Sequence, residues 1–248
     1  MTSFSQSKAA SFLHHFHSIN AIRLVESYQK ENISVLTLFD EKYPTYLKHI
    51  SQPPVVLFCK GDTNLLQNKK NLSVVGTRKP SSYGLQVVEK ILKPLTPDWV
   101  IVSGLAKGID GKAHKVAVEN KGRTIAVIAG GFHHIYPREH ISLASEIAKN
   151  HLLLSVHPPN TRPQKWMFPE RNQLISGLSL GTLVVQAAKQ SGSLITAQYA
   201  LDEGREVFTV PCQLFDERFI GNVDLMKDGA TVIFSPEDIE RFLQPMLK

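Results

Sequence analysis

From about residue 55 onward, short apolar runs alternate with amphipathic stretches. The apolar runs are VVLFC (55–59), LSVVG (72–76), WVIVSG (99–104), TIAVIAG (124–130), LLLSV (152–156), TLVVQAA (182–188), EVFTVP (206–211) and TVIF (231–234). They are continuous and β-branched rather than alternating, which suits strands covered on both faces, as in a parallel sheet. Periodicity and breaker residues predict helices between most of them, at 82–93, 107–120, 138–149, 171–179, 193–203 and 221–228. This strand–helix alternation predicts a doubly wound, mostly parallel α/β sheet over 41–248. The first 40 residues differ. They are polar, with Phe12, Phe16, Ile19, Ile22 and Val25 at helical spacing, and predict a small helical N-terminal region over 1–40. FDEKYPTYLKHISQPP (39–54) reads as a connector, because Tyr-Pro and Pro-Pro interrupt any helix.

Composition narrows this picture only slightly. The 248 residues are 42% hydrophobic and 20% charged, the profile of an ordinary globular chain. A formal net charge of +6 favours acidic partners such as nucleic acid, and by itself carries little weight. Cys59 and Cys212 are the two cysteines, so there is no disulfide framework, and both read as buried thiols. The start lacks the apolar core and cleavage site of a secretory signal, and no run is long enough to span a membrane. The cytoplasm follows by default.

The strand ends carry the chemistry. Four strands run into polar, glycine-containing loops: GTRKPSSYG (76–84), SGLAKGIDG (103–111), AGGFHHIYPREH (129–140) and KQSGSLITA (189–197). In an open parallel sheet these loops share one edge, where ligands bind. Glycine lets backbone amides approach a ligand, and the following helix N-termini favour an anion. Ser81 or Ser82, and Ser193, read as helix caps. One such loop is as well explained by tight packing; four together point to an extended anionic ligand. Arg78 and Lys107 sit in the first two loops. Arg162, Lys165 and Arg171 lie in PPNTRPQKWMFPERN (158–172), interleaved with Trp166 and Phe168. Cations alternating with rings suit single-stranded nucleic acid, although at least one of the two rings is expected to fold onto the core.

Several chemistries are excluded. The chain has no G-x-x-x-x-G-K-[ST] and no G-x-G-x-x-G after the first strand, so neither P-loop nor dinucleotide chemistry is expected. It has no H-E-x-x-H, C-x-x-C or G-x-S-x-G, and no metal or cofactor is expected. Asp110 and His114 stand four apart, and either pair or leave Asp110 to favour its helix N-terminus. An enzymatic alternative exists. SGSLITAQYALDEG is loosely similar to the G-G-x-G-T region of Rossmann-like phosphoribohydrolases, but Thr196, Ala197 and Gln198 stand where an acid would act. Ile220, Leu225 and Met226 form either an apolar dimer patch or core.

GTRKPSSYG (76–84), VSGLAKGIDGKAH (102–114), TIAVIAGGFHHIYP (124–137), FPERNQLISGLS (168–179), SGSLITA (191–197) and GREVFTVP (204–211) together resemble, in this order, the DNA-processing protein A (DprA/Smf) family, over roughly residues 41 to 235. The resemblance implies an extended Rossmann-like fold that binds single-stranded DNA without cleaving it. It also implies a homodimer that shields incoming strands and helps load the RecA recombinase in natural transformation. The family's phosphate-contacting arginine falls on Arg78 and the cation of its second motif on Lys107. The candidate DNA-binding set is Gly76, Thr77, Arg78, Ser81, Gly104, Lys107, Gly108, Gly131, Lys165, Phe168, Arg171, Asn172, Ser191, Gly192 and Ser193. The sequence departs from the family pattern at Ala129, Val156, Cys212 and Val223. The winged-helix domain that follows this region in many relatives is not expected here.

Overall fold

The computed structural model describes residues 6–213 and 215–247; residues 1–5 of the expected N-terminal helical region lie outside the described residues. Two helices, α1 (Gln6–Ser18) and α2 (Ala21–Lys30), precede strand β1 (Ile33–Thr37), the short helix α3 (Thr45–Lys48) and β2 (Val56–Gly61). A regular alternation follows: β3 (Asn71–Val75), α4 (Ser82–Leu95), β4 (Val100–Ser103), α5 (Ile109–Glu119), β5 (Arg123–Val127), α6 (Ile141–Asn150) and β6 (Leu152–Ser155). It continues through α7 (Met167–Gly177), β7 (Gly181–Val184), α8 (Gly192–Asp202), β8 (Glu206–Thr209), α9 (Ile220–Lys227), β9 (Thr231–Val232) and α10 (Pro236–Leu243). The eight apolar runs all form strands. Three elements go beyond the expectation: α3, α10 and β1, the last lying inside the region read as helical. β1 is an edge strand in which only Ile33 is fully buried, so its pattern is weak.

The strands form one sheet in the order β1-β2-β6-β5-β4-β3-β7-β8-β9. β2 runs antiparallel to both neighbours, and the remaining pairs are parallel. From β3 the chain winds outward through β4, β5 and β6, then returns to the other side of β3 for β7, β8 and β9. The switch of strand order therefore lies between β3 and β7, where the ends of adjacent strands diverge into a crevice.

Alternate residues of β3 feed opposite layers. Leu72 and Val74 join a core with α4 (Val88, Ile91), α5 (Ala113, Val116) and α10 (Ile239, Leu243). Val75, with Val102 and Val127, joins the opposite core with α7 (Leu174, Ile175) and α8 (Ala197, Ala200). α6 packs through Ala144 and Ile147 onto Ala126, Ile128 and Leu153. Burying each of the Val, Leu and Ile side chains among these contributes about 1.5–3 kcal/mol, so the sheet is a rigid base for its loops. Polar residues then fix α7 against β3: Ser73 Oγ donates to Ile175 O at 2.6 Å, and Asn71 Nδ2 donates to Leu178 O at 2.9 Å.

Cys59 is buried in β2, and burial pushes its thiol up to about 12. Cys212, expected to be a buried thiol, is instead half-buried in the loop after β8. Among the described residues, no helix is long and apolar enough to cross a membrane.

Candidate functional site

The loops after β3, β4 and β7 and the start of α7 enclose a cleft of about 510 Å³ at the switch point. That volume lies within the usual size of ligand sites. Gly76, Thr77, Arg78 and Lys79 line one wall; Ser191, Gly192, Ser193 and Thr196 line the other; Phe168, Arg171 and Asn172 lie between. A smaller, more enclosed recess adjoins it, lined by Arg78, Gly104, Lys107, His134, Tyr136, Phe168 and Arg171. Arg78, Ala106, Phe168 and Arg171 belong to both and form the divide.

Phe168 is half-buried at this divide. The Arg78 and Arg171 guanidinium carbons stand 5.8 and 5.9 Å from its ring centroid, and the Tyr136 ring meets it edge-on. The two guanidiniums are attracted to the ring. Expectation and structure differ here in one respect. Neither Phe168 nor Trp166 joins the core; Met167 between them does, and Trp166 is 61% exposed, edge-on to His157. Helix α7 also begins four residues before the predicted position, so Phe168 projects from a helix rather than a loop. Pro169 reads as a breaker in the sequence, but in a first helical turn its missing N–H has no partner to lose.

Arg171 is almost wholly buried, and its Nη1 lies 3.8 Å from Asp110 Oδ2. Its Nε and Nη1 have no hydrogen-bond partner. Burial lowers the guanidinium's pKa, a shift opposed by Asp110 and reinforced by Arg78. Burial likewise raises the Asp110 carboxyl, against Arg171 and the backbone N–H groups of Gly104, Ala106 and Gly76. Asp110 is thus in the first turn of α5, as expected, and does not pair with His114. The cleft presents Arg78, Lys79 and Arg171 against this one carboxylate, which is already paired. Lys107 is half-exposed at the rim of the recess and is ion-paired with Glu139.

The loop conformations come from nearby polar braces. Ser81 is the N-cap of α4, accepting from Gly84 N at 3.1 Å. Gln186, buried just beyond β7, accepts from Ser81 N (2.9 Å) and Ser81 Oγ (3.1 Å), while its carbonyl accepts from Thr77 N (2.7 Å). Asn222 of α9 donates to Val184 O and Thr209 Oγ1 and accepts from Ala187 N, closing the end of β7 against β8. Sequence reasoning singles out neither Gln186 nor Asn222. A signal for Gln186 exists, as a polar residue inside the apolar run TLVVQAA.

The structure brings Gly76, Thr77, Arg78, Gly104, Lys107, Phe168, Arg171, Asn172, Ser191, Gly192 and Ser193 to the cleft and recess. It places four candidates elsewhere. Ser81 is buried in its capping role. Gly108 has φ +76°, and a side chain there would meet Thr77 O. Gly131 packs against the Pro158 and Pro159 carbonyls. Lys165 is exposed and lies outside the cleft. Gly104 lines the recess, but a side chain there would overlap the Arg171 guanidinium, so its bareness makes room for the arginine. The cap of α8 is Ser191, whose side chain accepts from Ser193 N at 3.4 Å; Ser193, the expected cap, is inside the first turn. Of the three candidate contact residues on α9, Leu225 is buried in the core, Met226 is half-buried and Ile220 is at the surface. Among the described residues, no group of three or more His, Cys, Asp or Glu is placed to hold a metal.

Fold and cleft together define a Rossmann-like α/β protein with a cationic, ring-divided crevice at its strand-order switch. Within that class, the chain belongs to the DNA recombination-mediator protein A family, whose profile matches residues 34–244. It is 53% identical over 218 residues to the DNA processing protein DprA of Bacillus subtilis, covering 88% of this chain and 73% of that one. The X-ray structure of DprA from Streptococcus pneumoniae superposes with a TM-score of 0.86 at 40% identity, over 93% of this chain and 80% of that chain. A Helicobacter pylori DNA processing protein A structure, described for its single-stranded DNA binding mode, superposes at 0.78 with 31% identity, over 86% and 96% of the two chains.

Proposed function

We propose that this protein binds single-stranded DNA along the switch-point cleft and holds it without cutting it. The observation that carries this reading is the divide itself, an aromatic ring with two guanidiniums beside it, lining both the cleft and the recess. Phosphates suit Arg78, Lys79 and the N-terminus of α8, while the half-exposed Phe168 ring, with the two guanidiniums over it, adds apolar surface for a base. Lys165 and the exposed Trp166 extend the path beyond the cleft. The single-strand binding described for the Helicobacter pylori relative supports the same reading.

As a non-catalytic DNA binder the protein shields incoming strands and helps load a RecA-type recombinase during natural transformation, as a cytoplasmic homodimer. The family's description as a recombination mediator supports this role. A nucleotide hydrolase is less well supported. The one carboxylate lining the cleft, among the described residues, is Asp110, which is buried and paired with Arg171.

The test is fluorescence anisotropy of labelled single- and double-stranded oligonucleotides over a salt series. Arg78→Ala should weaken single-strand binding for all sequences. It should also flatten the plot of log affinity against log salt by roughly 0.7 for each phosphate the variant no longer neutralises. Unchanged affinity and slope in a folded variant would refute the assignment of Arg78.

A further inference from the structure

The loop between β4 and α5 makes an unusual turn. Leu105 has φ +58°, in the left-handed region that a branched, fully buried side chain avoids. Its two neighbours, Gly104 and Ala106, face the recess, and Lys107 follows at its rim. The conformation of Leu105 therefore sets how this loop lines the recess.

Two histidines, neither of them lining the cleft or recess, hold it. The Leu105 N–H points at His114 Nε2 (3.3 Å), and the Leu105 carbonyl lies 2.8 Å from His140 Nδ1. Donor logic fixes both tautomers. Thr124 Oγ1 donates to Ile101 O at 2.6 Å, so it must accept from His114 Nδ1–H at 2.7 Å. That leaves His114 Nε2 bare and able to accept from Leu105. A carbonyl can only accept, so His140 Nδ1 carries its proton. His114 is fully buried, and burial, aided by nearby His140 and Arg171, lowers its pKa to about 3, which keeps it a neutral acceptor. The flanking groups are tied as well. Gly104 N donates to Asp110 Oδ2 (3.2 Å) and Ala106 O accepts from Gly111 N (3.0 Å). Gly111 also leaves space for the His140 ring.

We infer that His114 and His140 are positioning residues for the nucleic-acid cleft, clamping the Leu105 peptide groups so that Gly104, Ala106 and Lys107 are presented to the ligand. This rests on the single-stranded DNA reading above.

The two histidines use different ring nitrogens, which gives a crossed test. Asparagine places its polar atoms near Nδ1 and glutamine places them near Nε2. His114→Gln keeps an acceptor for Leu105 N–H, whereas His114→Asn keeps only the Thr124 side. At position 140 the pattern reverses: His140→Asn keeps the donor to Leu105 O and His140→Gln loses it. Single-strand affinity, thermal midpoint and amide hydrogen exchange at 104–108 are measured for all four variants and wild type. His114→Asn and His140→Gln should bind about tenfold more weakly, with faster exchange at 104–108, while their partners stay within about threefold of wild type. If one variant fails to fold, the pair at the other position carries the test. Equal affinities within both pairs, or losses that merely follow the thermal midpoint, overturn the inference and leave the DNA reading standing. Failure of the wild-type chain to bind single strands overturns both.

Discussion

Arg171 brings a positive charge into a buried position with too few acceptors for its N–H groups. Asp110 compensates it across 3.8 Å, and three backbone N–H groups compensate Asp110 in turn. Removing one member of such a pair leaves the other buried and unpaired. Arg171→Met should therefore destabilise the fold by about 3–5 kcal/mol, and adding Asp110→Asn should recover much of that loss. Urea denaturation of the two single variants and the double checks it; additive losses would show that the two residues act independently. At this scale the sequence is only partly legible. Arg78 can be read from its place directly after a strand. Arg171 can be read as a cation but not as a buried one, because burial depends on Gly104 and Asp110, which arrive from another loop. Gly108 and Gly131 look in sequence like glycines at a ligand, yet their bareness serves backbone packing.

Elements meet the site through their ends. α4 is capped by Ser81, which Gln186 also holds; α8 is capped by Ser191; α7 starts at Met167 with a proline in its first turn. The N-terminal helices reach the sheet edge through a side chain as well as through β1. His133, in the loop after β5, is within 2.6 Å of Asn160 Oδ1 at Nδ1 and within 2.5 Å of Glu31 Oε2, just after α2, at Nε2. Both nitrogens face acceptors, so the imidazolium is the favoured form. The hydrogen bonds to Asn160 and Glu31, together with the charge of Glu31, raise the His133 pKa above its ordinary 6.5. Because the folded value is the higher one, the associated stability is fully present below about 6.5 and fades as pH rises through the raised value. The thermal midpoint of wild type should fall relative to His133→Ala as pH rises from about 6 to about 8. Parallel curves would show that this contact carries no pH dependence. Helix and strand identity is largely readable at this scale. β1 is not, because an edge strand with one buried residue lacks the continuous apolar run of the inner strands.

Across the whole molecule, the ligand path is set by sheet order. Three strands, β4, β5 and β6, separate β3 from β7 along the chain. The two nevertheless pair directly, with Leu72 opposite Gly181 and Val75 opposite Val184. That pairing brings Arg78 and Ser191 to opposite walls of one cleft. Lys165 lies outside it and is solvent-exposed. Lys165→Ala should leave the thermal midpoint unchanged while lowering the salt slope of single-strand binding by about 0.7. An unchanged slope would confine the path to the cleft. Exposed cations outside a packed site contribute charge without contributing to the fold, so the two readouts should separate here, whereas at Arg171 they should move together.

The sequence by itself determined the α/β alternation, the glycine-containing strand ends and the position of Arg78, because each is local: a run of β-branched residues, a turn, a cation beside it. Six ordered motifs were also enough to carry the family resemblance. Only the tertiary structure decided which loops share the cleft, that Arg171 is buried against Asp110, that Gln186 and Asn222 brace the strand ends, and that two histidines hold Leu105 in a left-handed turn. These features are contacts between segments far apart in the chain. Hydrophobic periodicity records which residues are buried, but not which neighbours they are buried against, and that is settled by strand order and packing.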